Sequence, residues 1–120
     1  MVAFDRIYPG LTAERELTVE ERHSVLHTGQ PVLSTPMMIS MMEGLAMQLI
    51  HPLLPPGFTT VGYEVNVKHK APALLGARIK VLCRLLEAHG RKLLFEVRVI
   101  QAEKVIGEGV HRRTIIPVSP

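Results

Sequence analysis

The sequence predicts an α+β fold in which an antiparallel β-sheet wraps one central apolar α-helix. Three observations carry that reading. Between Thr35 and Ile50 apolar side chains fall on nearly every helical face, which suits a helix buried almost all round and not an amphipathic surface helix. After Gly57 the hydrophobic period changes to two, over runs at 59–69, 77–86, 92–101 and 105–116 rich in Val, Ile and Leu. The segments between these runs are short and turn-prone, so neighbouring strands are antiparallel. With 120 residues, 47% hydrophobic and 21% charged, the chain has material for one core, and a single domain over 1–120 is expected.

Residues 1–30 are mixed, and the loose alternation of Glu14, Glu16, Thr18 and Glu20 against Arg15, Leu17, Val19 and Glu21 favours one strand. The stretch 23–32 holds Gly29 and Pro31 and reads as a loop, or a lid, leading into the helix. Thr35 before Pro36 is a helix start: a Thr hydroxyl caps free backbone N–H groups, and Pro is tolerated in the first turn. His51 and Pro52 stop the helix, and Leu54-Pro55-Pro56-Gly57 is a stiff connector. Met37, Met38, Met41, Met42 and Met47 make an adaptable apolar wall within it. One sheet cannot cover such a helix on all sides, so a homodimer, or a dimer of dimers, is expected to complete the burial. This is the hotdog arrangement.

Composition narrows the function classes. The net charge is +3, from 14 Lys and Arg against 11 Asp and Glu, and the positive residues alternate with apolar ones like the wet face of a sheet. Aromatic residues are 4% with no Trp, which argues against nucleobase stacking and a nucleic-acid partner. The single cysteine, Cys83, permits no internal disulfide, reads as a small buried hydrophobe, and points to the cytoplasm. The longest apolar stretch, 36–50, is broken by Ser40, Glu43 and Gln48 and falls short of the roughly 20 residues a bilayer needs, so no membrane partner is expected. No signal-peptide run opens the chain. Of six histidines only His23 and His27 have an i, i+4 spacing, without a third partner, so no metal is expected. No glycine-rich phosphate loop appears, so no nucleotide cofactor is expected either.

Three polar residues stand where a plain core would not place them. Glu43 is the one ionisable residue inside the apolar helix, and a buried carboxylate is costly unless paired or protonated. Thr35 precedes it by eight residues, so the two project from similar sides of the helix about 12 Å apart. That distance leaves room for a substrate or a third residue. His69, ending the first long strand on the face shared with Val65 and Val67, is the natural third.

Pro31-Val32-Leu33-Ser34-Thr35-Pro36, Met42-Glu43-Gly44, Val61-Gly62 ahead of Val65-Asn66-Val67-Lys68-His69-Lys70-Ala71, and Gly107-Glu108-Gly109-Val110-His111-Arg112-Arg113 together resemble the fluoroacetyl-CoA thioesterase-like branch of the hotdog-fold thioesterases, over most of the chain. The resemblance implies an acyl-CoA thioesterase with Thr35, Glu43 and His69 as its catalytic set. Gly62 and Arg113 then lie near the acyl group and the coenzyme A end, and coenzyme A enters as part of the substrate rather than as a cofactor. The member specialised for fluoroacetyl groups has a phenylalanine gate before its Thr, whereas here no aromatic residue lies between Tyr8 and Phe58, which implies a different acyl group. Pro72 also comes early after His69, so the neighbouring loop has its own shape.

The chemistry then expected has His69, oriented by Glu43, as general base, Thr35 attacking or positioning water, and the helix N-terminus facing the developing oxyanion. Arg78, Lys80, Arg112 or Arg113 are candidates to meet the phosphates of coenzyme A, although His111-Arg112-Arg113 also suits an edge-strand charge cluster. Two other classes compete: a non-catalytic acyl-CoA sensor or carrier, which needs the pocket but no reactive set, and an enoyl-CoA hydratase or dehydratase.

Overall fold

The structure, a computed structural model, describes residues 4–118, so the ends of the 1–120 span lie outside it. Seven strands and one long helix follow in the order β1 (Thr12–Thr18), β2 (Ser24–His27), β3 (Gln30–Leu33), α1 (Thr35–Ile50), β4 (Phe58–His69), β5 (Arg78–His89), β6 (Lys92–Gln101) and β7 (Lys104–Pro117). Five of the strands form one antiparallel sheet in the order β1-β5-β6-β7-β4, and β2 and β3 form a separate hairpin. The α+β arrangement expected from the sequence is present, with α1 lying against the inner face of the large sheet.

The helix runs over the predicted residues, but its cap is not Thr35. Ser34 is the extended residue at the N-cap, and its hydroxyl accepts from the Met37 N–H at 3.2 Å. Thr35 and Pro36 therefore occupy the first two helical positions, and the Thr35 hydroxyl is free for another partner. Met38, Met42, Leu45, Ala46 and Ile50 are buried against the sheet. The expectation of burial all round does not hold within one chain: Ser40 and Gln48 are exposed, and Met47 keeps 44% of its surface. Gly107 lets the helix approach β7, because a Cβ there would collide with the Met38 thioether.

Hydrophobic alternation explains the sheet. Ile79, Val81, Cys83 and Leu85 of β5 and Leu93, Phe95, Val97 and Val99 of β6 point inward and are buried. The outer face carries paired charges: Arg84 lies across from Glu96, and Arg98 across from Glu108. Cys83 is buried at 2% exposure, and burial pushes its thiol pKa up to about 12.

The stretch read as a loop, 23–32, is instead largely the β2–β3 hairpin. Thr28 and Gly29 both take positive φ, 49° and 80°, as a two-residue hairpin turn requires. Pro31 is tolerated in β3 because this ribbon has only two strands, while the Leu33 N–H and the Pro31 carbonyl tie it to Ala73 and Leu75. The strand expected within 1–30 is β1, an edge strand of the large sheet; Met1 to Ala3 of that stretch lie outside the described residues.

Candidate active site

The N-terminal turn of α1 and the end of β4 meet at one point. Because Ser34 caps the helix, the Thr35 hydroxyl is left to face His69, and Thr35 Oγ1 lies 2.8 Å from His69 Nδ1. Burial holds the His69 pKa below the ordinary histidine value, partly opposed by the Ala71 backbone. A neutral imidazole in this position accepts a proton from the hydroxyl. Its other nitrogen, Nε2, is buried with no hydrogen-bond partner among the described residues. Beside the pair opens a cleft of ≈ 400 Å³, walled by Val25 and Leu26 of β2, Val32 and Leu33 of β3, and Ala71 and Pro72, with His27, Ser34 and Lys70 as its further polar lining. A hollow of ≈ 470 Å³ over β1, β5 and β6 is larger, but it is rimmed by Glu14, Arg84, Glu96 and Arg98 and lies away from Thr35 and His69.

Glu43 is not part of that pair. Two turns further along α1 it is half-buried and faces Gly62 of β4 and His111 and Arg113 of β7. A Cβ built on Gly62 would stand 2.8 Å from His111 Cε1, 3.0 Å from Glu43 Oε2 and 3.2 Å from Arg113 Nη1. Three functional groups therefore converge over a residue with no side chain. Arg113, 6% exposed, donates from Nε to Thr60 Oγ1 at 2.9 Å and from Nη2 to the Thr60 carbonyl at 3.1 Å. Burial holds its pKa below the ordinary arginine value, opposed by the Glu43 charge. Of the expected set, the structure brings Thr35 into contact with His69 and turns Glu43 toward Gly62 and Arg113, with no Glu43–Arg113 ion pair within 4.0 Å. It does not bring Glu43 to His69, so within one chain His69 is not oriented by Glu43.

A β-bulge sets up this division. The β4–β7 register shifts between Gly62 and Glu64, leaving Tyr63 as the extra residue. Thr60 and Gly62 face the helix before the bulge, and Val67 and His69 face it afterwards.

The expectations for the positive residues change. β7 is an interior strand, so His111, Arg112 and Arg113 are not an edge cluster. His111 and Arg113 point inward, whereas Arg112 points out and pairs with Glu64 at 3.0 Å. Arg78 and Lys80 reach Glu16 and Glu14 of β1 at 3.6 and 4.0 Å on the outer face, remote from Thr35. The helix N-terminus is also less open than expected. Pro36 has no N–H, and the Met37 and Met38 N–H groups are held by the Ser34 hydroxyl and carbonyl, which leaves the N–H of Thr35 itself. Among the described residues no group of three His, Cys, Asp or Glu side chains is placed to hold a metal ion, and His23 and His27 sit in a 3-10 turn and in β2, not on one helix. No described helix is long and apolar enough to cross a membrane.

The family model for the fluoroacetyl-CoA-specific thioesterase matches residues 13–119. The chain belongs to that family. It is 31% identical over 85 residues to the fluoroacetyl-CoA thioesterase of Streptantibioticus cattleyicolor, a match covering 71% of this chain and 61% of the relative. A solved structure of the fluoroacetyl-CoA thioesterase FlK superposes with a TM-score of 0.85 at 25% identity, over 92% of this chain and 89% of the other. A hot-dog-like protein from Thermanaerovibrio acidaminovorans gives a TM-score of 0.88 at 19% identity over 95% and 87%, a likeness of fold.

Within this family the sequence reading singled out Thr35, Glu43, Gly62, His69 and Arg113, and it left out His111 and Thr60. His111 is 1% exposed and completes the group around Glu43. The signal for it was its two-residue spacing from Arg113, which puts both on one face of a strand.

Proposed function

We propose that this protein is an acyl-CoA thioesterase, hydrolysing an acyl thioester to a free acid and coenzyme A with no cofactor of its own. The observation that carries the reading is the Thr35–His69 pair at 2.8 Å, at the start of the central helix in a member of a thioesterase family. Thr35 donates its hydroxyl proton to His69, and the oxygen so activated attacks the acyl carbon or fixes the water that does. The Thr35 N–H, at the positive end of α1, faces the oxyanion as it forms. His69 then returns its proton to the departing sulfur of coenzyme A; on the covalent route a water, deprotonated in turn by His69, attacks the acyl-Thr35 ester and releases the acid as Thr35 Oγ1 takes the proton back.

The apolar walls of the cleft, with no aromatic gate between Tyr8 and Phe58, support a small or medium acyl group other than fluoroacetyl. A second copy of the chain completes the site. Edge strand β4 leaves Val61, Tyr63 and Val65 between 38% and 48% exposed, the bare side of α1 includes Met47, and Thr35 and Glu43 lie in separate half-sites. In such a homodimer, or a dimer of dimers, Glu43 of the partner subunit serves the Thr35–His69 pair. The single buried, unbridged Cys83 supports a cytoplasmic setting.

Thiol release from short, medium, branched and aryl acyl-CoAs tests the reading, run beside folded Thr35→Ala, Glu43→Ala and His69→Ala variants. Turnover by the wild type that all three variants lose is expected. Binding without turnover anywhere on the panel would leave a non-catalytic acyl-CoA module in its place.

A further inference from the structure

His111 has a single workable protonation pattern. Its Nδ1 lies 2.8 Å from the Glu64 carbonyl, an oxygen that only accepts, so Nδ1 carries the proton. Nε2 then presents a lone pair, and Arg113 Nη1 lies 3.2 Å from it with protons only to donate. The ring is fixed from a third side by Phe95 of β6, stacked at 6.2 Å between centroids with 28° between planes. The Glu64 carbonyl comes from the segment that the Tyr63 bulge displaces, so the irregularity in β4 and the tautomer of a histidine on β7 are one arrangement.

We propose that His111 is a positioning residue that, as a neutral acceptor, holds the Arg113 guanidinium over Gly62 beside the Glu43 carboxylate. The inference rests on the thioesterase reading of this site and adds to it a residue that touches neither Thr35 nor His69. Arg113 has five N–H protons. Thr60 takes two and His111 a third, leaving two for Glu43 or for the substrate. Without the acceptor at Nε2, the guanidinium can swing about its two Thr60 contacts.

The groups facing His111 are Arg113 on its own strand, Glu43 from α1, the Glu64 carbonyl from β4, and Phe95 from β6. Burial keeps its pKa below the ordinary histidine value, and the Arg113 charge acts the same way; the Glu64 carbonyl and Glu43 pull in the opposite direction. Protonation turns Nε2 from acceptor to donor and sets two cations against each other.

Two variants separate positioning from packing. In His111→Asn the amide nitrogen replaces Nδ1 and keeps the Glu64 bond but offers nothing at Nε2, whereas in His111→Gln the carbonyl oxygen reaches the Nε2 position and does not titrate. For His111→Asn we expect kcat for thiol release to fall at least about tenfold with KM changed less than about threefold, and for His111→Gln to recover most of that loss. The Gln variant also lacks the acid-side ionisation that His111 contributes to the kcat profile. Wild-type kcat in the Asn variant, or a Gln variant no better than Asn, overturns the proposal. A readout independent of turnover is the exchange of the Arg113 Nη1–H proton that faces His111, followed by NMR: slow in the wild type and in Gln, fast in Asn. If the wild type releases no thiol from any acyl-CoA, the thioesterase reading fails by itself, and this proton still decides the positioning; unchanged exchange in Asn overturns it.

Discussion

Gly62→Ala places one methyl group where Glu43, His111 and Arg113 converge. The new carbon would stand 2.8 Å from His111 Cε1, closer than real Cβ contacts come, so a neighbour has to move. His111 is the least able to do so, being held by the Glu64 carbonyl, by Arg113 and by the Phe95 ring. The Glu43 carboxylate, at 3.0 Å, ends a flexible side chain and yields first; Arg113 Nη1, at 3.2 Å, is held through Thr60. Overpacking of this kind costs about 1–3 kcal/mol. For a domain of this size that lowers Tm by roughly 4–15 °C. Displacing Glu43 by even an ångström also lowers kcat, by about one to two orders of magnitude. Thermal unfolding and thiol release from the best acyl-CoA of the panel read both quantities. An alanine variant with wild-type Tm and kcat would show that the three groups do not meet over Gly62, and the construction of the second half-site would fail with it.

The neighbours Ser34 and Thr35 have separable roles. Ser34→Ala removes the cap on Met37 and costs about 1 kcal/mol of stability, whereas Thr35→Ala leaves the cap in place, changes Tm by a degree or two at most, and removes turnover; equal Tm losses in the two variants would contradict the assignment. The pH dependence follows from two histidines whose pKa is lowered by burial, His69 and His111. The unfolded chain binds protons at these sites before the folded one does, so their stability contribution is complete above the ordinary histidine value of 6.5 and is lost as pH falls through the lower folded values. Tm is therefore expected to fall below about pH 6.5, and a His69→Gln, His111→Gln double variant to flatten that slope. Turnover falls on the same acid side, because His69 must be neutral to accept the Thr35 proton. A Tm that rises on acidification would reverse the sign of both shifts.

Periodicity made the helix and the four long strands legible, because α1 is apolar on most faces and β4 to β7 alternate. Its limits are equally physical. The hairpin at 24–33 escaped because its turn is Thr28-Gly29, with a β-substituted residue at positive φ, and because Pro31 reads as a loop residue where the ribbon tolerates it. The cap lies one residue before the Thr35 that the sequence predicts, since Ser34 and Thr35 are both good capping types before a Pro and only the helix geometry chooses between them. Strict alternation along β4 would put Gly62 and His69 on opposite faces. Tyr63 as a bulge returns them to the same one, and a one-residue bulge has no period to reveal it. For His111-Arg112-Arg113 the sequence also admits a charge cluster at an edge, but strand order, which no local pattern encodes, places β7 between β6 and β4. Thr35 and His69, 34 residues apart, meet through the same topology.

In the proposed homodimer, Thr35 with His69, and Glu43 with Arg113, are two halves of one site brought together by a second copy of the chain. Thr35→Ala and Glu43→Ala, each inactive alone, test it when mixed, unfolded and refolded together. If the halves come from different copies, each mixed dimer has one intact site and one doubly mutated site, and activity returns to about a quarter of the wild-type level. If both halves act within one chain, or the protein works as a monomer, the mixture stays as inactive as its components, which contradicts a site shared between two copies.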